Sequence, residues 1–314
     1  MYVIIRLAAA IPTLLGVTLF AFILVHLAPG DPLTALTGGR VSQEVLAHLR
    51  SFYGFDLPLP VQYLHWLGRL VVGDFGASFS TGRNVAPELL GATDESLKIL
   101  ALAAPIAVLS GWWLGNFAAW HAQSPLGRAL SVVLGSFVSV PSYWLGMMLV
   151  ALFGVTLNWL PVMGMGPTTS WAGLFTLKGL SYVVLPVATL ILAPIGILAR
   201  STKTAVETVI EEDFPEALRA RGMPDHYVRR RVARNALPGL FPIYGLQISY
   251  MFSGLVLVEA IFSWPGLGTY LTLAITARDI PSIQAGILLS ALVFVAMNLI
   301  ADLLQSSLDR RTRR

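Results

Sequence analysis

Enzymatic chemistry needs nucleophiles, metal ligands, proton carriers or phosphate cradles, and this sequence arranges few such residues usefully. Cysteine is absent, which removes thiolate nucleophiles, disulfides and cysteine-ligated zinc or iron–sulfur centres. The five histidines, His26, His48, His65, His121 and His226, have no ligand-like spacing, and neither an H-E-x-x-H pair nor a G-x-S-x-G elbow occurs. None of the three lysines, Lys98, Lys178 and Lys203, sits in a G-x-x-x-x-G-K-[ST] phosphate loop, so any ATP chemistry belongs to a partner. No catalytic residue, metal ligand or cofactor site is expected in this chain.

The densest polar segment is Arg200–Pro238, RSTKTAVETVIEEDFPEALRARGMPDHYVRRRVARNALP. Glu207, Glu211, Glu212 and Asp213 precede an expected short helix Glu216–Arg221, with Gly222 as its terminator and Pro224-Asp225 opening the next helix. By charge alone this helix–turn–helix is a basic connector lying against anionic lipid. His26 is the other notable group. It sits near the end of an apolar run, where an ionisable side chain is costly unless it reaches water.

The elements that must carry these residues are set by hydropathy. The 314 residues are 55% hydrophobic and 12% charged, with mean hydropathy +0.71, whereas soluble domains are about 25% charged. Runs of about 20 apolar residues are long enough to cross hydrocarbon as helices. Such runs occur at Leu7–Ala28, Ile99–Trp120, Ala129–Val155, Leu180–Ala199, Leu240–Phe262 and Ile283–Ala301. The expectation is an all-α polytopic membrane protein of six transmembrane helices, with residues 1–314 as one domain. The first run is read as an uncleaved anchor.

Basic residues fix the orientation. With the N-terminus inside, the cytoplasmic segments hold Arg6, Arg128, eight bases from Arg200 to Arg234, and Arg310, Arg311, Arg313 and Arg314, against Lys178 and Arg278 in the short outer loops. Both termini are then cytoplasmic. The net charge of +4 is explained by topology rather than by nucleic acid. The long outer segment 29–98 is rich in turn formers, with amphipathic stretches around Val41–Phe52 and Val61–Val72, and is read as a folded cap. Gly111 and Gly115 allow close helix approach. Pro141, Pro186 and Pro194 imply kinks.

Glu216-Ala217-Leu218 followed by Gly222 resembles the E-A-A-x-x-x-G signature of binding-protein-dependent ABC import permeases. Arg234-Asn235-Ala236-Leu237-Pro238 resembles the R-N-A-L-x-P ending of the peptide and nickel branch. In the same order, Ala28-Pro29-Gly30-Asp31-Pro32, Gly73-Asp74-Phe75-Gly76-x-Ser78, Trp159-Leu160-Pro161, Glu259-x-x-Phe262-Ser263-Trp264-Pro265-Gly266-Leu267-Gly268, Arg278-Asp279-x-Pro281 and Asn298-Leu299-x-x-Asp302-Leu303 are similar to that branch. The resemblance covers nearly the whole chain and is closest to the B-type subunits of dipeptide, oligopeptide, nickel and glutathione importers. Three places depart from it: Leu218 replaces the third alanine, Asp94-Glu95-Ser96 leads into the second span, and Phe214-Pro215 enters the loop helix.

The resemblance implies a pore-forming subunit in the bacterial cytoplasmic (inner) membrane. Its partners would be a second homologous permease, two ATPase subunits that hold ATP and Mg, and an extracytoplasmic solute-binding protein, all within membrane lipid. Segment 200–238 would be the coupling loop, with Glu216, Ala217, Arg219, Arg221 and Gly222 meeting the ATPase. Ser136, Ser139, Ser142 and Asn298 would line the pathway. Asp31, Glu259, Trp264, Pro265, Gly266 and Gly268 would form the outer gate or docking region. The cargo would be a peptide or a nickel or other metal–chelator complex; Met147, Met148, Met163 and Met165 are read as packing residues. An ion-coupled secondary transporter is the alternative, and it predicts inverted repeats and mid-membrane ionisable groups, neither of which is evident.

Overall fold

In hydrocarbon a peptide group must find its hydrogen bond within its own segment, and the apolar runs of this chain meet that demand as helices. The computed structural model describes residues 2–27, 44, 47–48, 50–51, 54–166 and 170–308, and nearly all of them are helical. In order they form α1 (Tyr2–Leu27), α2 (Leu59–Val71), α3 (Val85–Trp120), α4 (Pro125–Ser139), α5 (Ser142–Leu149), α6 (Leu177–Ile210), α7 (Asp213–Ala220), α8 (Asp225–Ala236), α9 (Phe241–Phe262), α10 (Leu267–Thr276) and α11 (Ile280–Leu308). Among the described residues the extended structure is one bridge, Ala77 to Asn84. Most of the expected amphipathic stretch Val41–Phe52 lies outside the described residues.

Five helices are long and apolar enough to cross a membrane: Ala8–Leu27, Val85–Trp120, Leu177–Ile210, Asp225–Phe262 and Ile280–Ala301. The expected span Ala129–Val155, with its kink at Pro141, is a sharply broken one. Pro125–Ser139 and Ser142–Thr156 meet at 98°. Pro141 forces the residue before it out of the helical region, and Val140 is extended, with φ −83 and ψ 121. The second span also starts earlier than Ile99. Asn84 Oδ1 accepts from the Ala86 N–H at 3.0 Å, an N-cap that launches α3 at Val85. Lys98 is therefore a buried helical residue rather than the end of a loop.

The chain divides into two compact units, one of Met1–Ser96 with Pro265–Val295, the other of Leu97–Trp264 with Ala296–Arg314. In the first, Phe22 on α1 meets Tyr63 and Trp66 on α2 with ring centroids 5.5 and 6.0 Å apart. Thr18 and Tyr63 share a hydroxyl hydrogen bond of 2.9 Å. The backbone N–H of Leu267, at the start of α10, donates to Ser96 Oγ at 2.8 Å. Ser96 thus caps a helix distant in sequence, which gives its polar type a structural reason.

In the second unit α6 is the central helix, packed by α4, α5, α8 and α9. Small residues make this possible. A Cβ at Gly111 would stand 2.5 Å from Leu198 Cβ, and one at Gly115 would stand 2.5 Å from the Ala199 carbonyl oxygen. Gly196 faces the Leu134 carbonyl at a comparable 2.6 Å. The close-approach reading of Gly111-x-x-x-Gly115 therefore holds, with α6 as the partner. Thr202 on α6 and Tyr244 on α9 are joined by a 2.6 Å hydroxyl hydrogen bond.

Overpacking at such contacts costs about 1–3 kcal/mol. Gly115→Val should lower the midpoint of heat-induced loss of monodisperse protein in size-exclusion chromatography. Gly68→Ala, on α2 with open space around it, should leave that midpoint unchanged or raise it.

Candidate functional site

α7 is built to turn one face inward and leave the other free. Phe214 and Leu218 pack against a small apolar core of Ala119, Val206, Val209, Val228, Val232 and Ala236 on α3, α6 and α8, and Pro215 is buried. The residues between them, Glu216, Ala217, Arg219 and Ala220, are exposed. The helix begins three residues earlier than the expected Glu216, with Glu212 as N-cap. Pro215 sits in the first turn, where a missing N–H is tolerated. The departures at Phe214-Pro215 and Leu218 are thus packing residues on the buried face.

The end of α7 is a Schellman closure. The Gly222 N–H donates to the Arg219 carbonyl at 2.9 Å and the Met223 N–H to the Leu218 carbonyl at 3.1 Å. Gly222 has φ +77, and a Cβ added to it would meet no atom within 4 Å. What restricts this residue within the chain is its left-handed backbone, not crowding. Pro224 then caps α8.

The charges of the loop are partly committed within the chain. Arg219 Nε lies 4.0 Å from Asp225 Oδ1, an exposed pair of small energetic weight. Arg231 donates to the Tyr227 hydroxyl at 2.7 and 3.1 Å. The Arg229 guanidinium lies 5.1 Å from the Trp120 ring centroid, a cation–π contact that ties α8 to the end of α3. Glu216 and Arg221 are exposed, with no ion pair among the described residues.

Of the expected pathway residues, Ser136 and Ser139 precede the 98° bend and Ser142 follows it. Ser136 Oγ donates to the Val133 carbonyl at 2.7 Å and Ser139 Oγ to the Gly135 carbonyl at 3.5 Å, so both hydroxyls turn back on their own helix. Asn298 is half-buried on α11. Of the outer group, Asp31 lies outside the described residues. Glu259 and Trp264 are fully buried at 0% exposure. Gly266 and Gly268 are buried as well, whereas Pro265 is exposed beside Ser263, whose φ of 49 ends α9. His26 is held by the Phe22 carbonyl at 2.8 Å and by Gln62 Oε1 at 3.2 Å.

One polar centre was not singled out from the sequence. Asp279, 2% exposed, accepts hydrogen bonds from the Ser78 hydroxyl, from the Phe79 N–H at 2.9 Å, from Ser80 Oγ at 3.0 Å and from Ser282 Oγ at 2.9 Å. Two of the motif-like segments, Gly73–Ser78 and Arg278–Pro281, are thereby latched together. A Cβ on Gly76 would stand 3.9 Å from Pro281. Burial opposes ionisation of Asp279, but the four donors outweigh it and hold the carboxyl below its usual value of 3.8. Asp74, bonded by Arg69 Nε at 2.9 Å and by the Gly76 N–H at 2.9 Å, is likewise lowered.

These features describe a multi-pass membrane protein with a short amphipathic helix on one of its loops. Residues 107–314 match the family described as "Binding-protein-dependent transport system inner membrane component", and residues 1–101 match its N-terminal companion. The glutathione transport system permease protein GsiC of Salmonella typhimurium is 35% identical over 316 residues, spanning 99% of this chain and 98% of that protein. GsiC of Escherichia coli strain K12 is 34% identical over 314 residues with the same coverage. The inward-facing MetNI methionine ABC transporter superposes with TM-score 0.58 at 17% identity, over 71% of this chain and 96% of that one, a likeness of fold. The chain belongs to the inner membrane components of binding-protein-dependent transport systems. It is a multi-pass transport subunit of the bacterial inner membrane, and the ion-coupled alternative falls.

A carboxylate with a lowered pKa stabilises the fold above its unfolded pKa and loses that contribution as pH falls through the folded value. The Asp279 latch should therefore be intact at neutral pH and weaken only below about pH 4. Asp279→Asn should remove about 2 kcal/mol at pH 7. Its deficit relative to the parent should shrink as thermal melts are taken to pH 3.

Proposed function

We propose that this chain is one of two homologous permeases of an ATP-driven peptide importer, with residues 1–314 acting as one permease domain. Two ATPase subunits bind ATP and Mg, and an extracytoplasmic solute-binding protein delivers the cargo. The N-terminus, the C-terminus and the loop 200–238 lie in the cytoplasm. This orientation follows from the concentration of arginine in that loop and at the C-terminus.

The observation that carries the reading is α7: an amphipathic helix with one face anchored on Val206, Val228 and Val232 and the other exposed. Such an element transmits force as a rigid body because its inner face cannot slip without opening an apolar core. Glu216, Ala217, Arg219, Arg221 and Gly222 form the surface that meets the ATPase, with charge-assisted hydrogen bonds at the ends and close approach at Ala217. Ser136, Ser139, Ser142 and Asn298 belong to the pathway, and Asp31, Glu259, Trp264, Pro265, Gly266 and Gly268 to the outer gate.

A small peptide is the cargo best supported, because the two relatives above are named for transport of glutathione, a tripeptide. In lipid nanodiscs holding the complete transporter, binding protein loaded with glutathione or a dipeptide should stimulate ATP hydrolysis, while a nickel–chelator complex should not. Gly222→Asn, which tolerates a left-handed backbone, should keep most of the stimulation. Gly222→Val should lose it, with basal hydrolysis retained. Normal stimulation in Gly222→Val would overturn the role given to α7.

A further inference from the structure

Two adjoining cavities in the unit of Met1–Ser96 and Pro265–Val295 lie apart from α7, and the first abuts the Asp279 latch at Phe79 and Pro281. The first, of about 150 Å³, lies among α1, α2, the turn after α2 and the start of α11. His26, Gln62, His65, Arg69, Asp74 and Gln284 supply its polar wall. The second, of about 490 Å³, lies between α1 and α2, where Leu19, Ile23 and Leu27 face Leu59, Tyr63 and Leu64. Phe22 and His26 line both cavities.

The two cavities differ in chemistry. The larger is an apolar slot on α1, a helix long enough to span the bilayer whose apolar window is only 22% buried in protein. Leu27 and Leu64 at its rim are 77% and 63% exposed, and the solvent around a span of this kind is acyl chain. Its volume lies in the range of about 300–1,000 Å³ typical of ligand sites.

The smaller cavity is polar and charged in a balanced way. Gln284 is 5% exposed, and its amide has no hydrogen-bond partner among the described residues. Its two N–H donors and one acceptor line the cavity and are open to a ligand that enters it. Beside it Arg69 and Asp74 form a 2.9 Å pair whose side chains remain 59% and 47% exposed. An adjacent cation and anion complement a headgroup that itself carries a phosphate and an ammonium. A purely anionic headgroup would have to compete with Asp74.

We propose that these cavities bind a zwitterionic aminophospholipid, with an acyl chain in the slot between α1 and α2 and its headgroup at Arg69, Asp74 and Gln284. The ligand comes from the leaflet nearest the C-terminal end of α1. His26, fixed by Phe22 and Gln62, stands where chain and headgroup join. The site is independent of the cargo and of the ATPase contact.

The test is native mass spectrometry of the complete transporter after detergent delipidation and titration with dioleoyl phosphatidylethanolamine or dioleoyl phosphatidylglycerol. The expected result is one phosphatidylethanolamine per copy of this chain, retained about tenfold more strongly than phosphatidylglycerol. Ile23→Trp and Leu64→Trp, which fill the slot from its two walls, and Gln284→Leu should each weaken retention about tenfold. Leu109→Trp, on the exposed side of α3, should not. Equal retention of the two lipids, or undiminished retention in both slot-filling variants, would overturn the proposal. So would a photo-crosslinker at Leu64 that captures a second permease instead of lipid.

Discussion

An unpaired peptide group is costly in hydrocarbon, so a chain of this composition can depart from regular helix only where another bond closes the gap. Several departures among the described residues show such a bond. At the bend before α5 the Leu145 N–H returns to the Pro141 carbonyl at 3.0 Å. At the end of α9 the Trp264 N–H returns to the Glu259 carbonyl at 2.9 Å. α10 opens on a serine hydroxyl from another helix, and α7 closes on two bonds across Gly222. Among the described residues, Gly73–Ser78, Ser263–Gly266 and Gly222 fall at such breaks, whereas Asn298–Leu303 stays within α11.

The helix α7 illustrates the same economy on a surface. Eight residues are too few to hold a helix in water unaided, so α7 depends on burying Phe214, Pro215 and Leu218. An alanine at position 218 would bury less apolar surface in that core, by about 25 cal/mol per Å² lost. The alternating demands of the core and of an outside surface account for the sequence of this segment. Bulk is found on the inward face, and small or charged side chains on the outward one.

The spans were legible because length and hydropathy depend only on local composition, and Leu180–Ala199 and Ile283–Ala301 fall inside α6 and α11. Their ends were not, because a single capping letter such as Asn84 or Thr176 carries little weight against a long hydropathy window. Gly222 as terminator and Pro224 as initiator were legible, since their backbone preferences act within one turn. The Asp279 latch was hidden: its donors Ser78 and Ser80 lie 201 and 199 residues away. No spacing rule reaches across that distance, and the motifs containing both ends gave no sign that they meet. Glu259 and Trp264 read as outer gate or docking candidates, and only the fold shows that each is fully buried.

The loop Arg200–Pro238 also shows why a count of charges overstates what a partner can use. Arg229 is spread over Trp120, Arg231 is held by Tyr227, and Arg219 leans toward Asp225. A partner that engaged these side chains would first break contacts already made, which lowers the net gain from each. Glu216, in the first turn of α7, and Arg221, at its C-cap, carry no such commitment among the described residues. They have opposite signs at opposite ends, each matching the helix dipole at its own end. A surface reading this helix would therefore meet an ordered polarity along one axis, which fixes direction as well as attraction and distinguishes α7 from a merely basic patch on lipid.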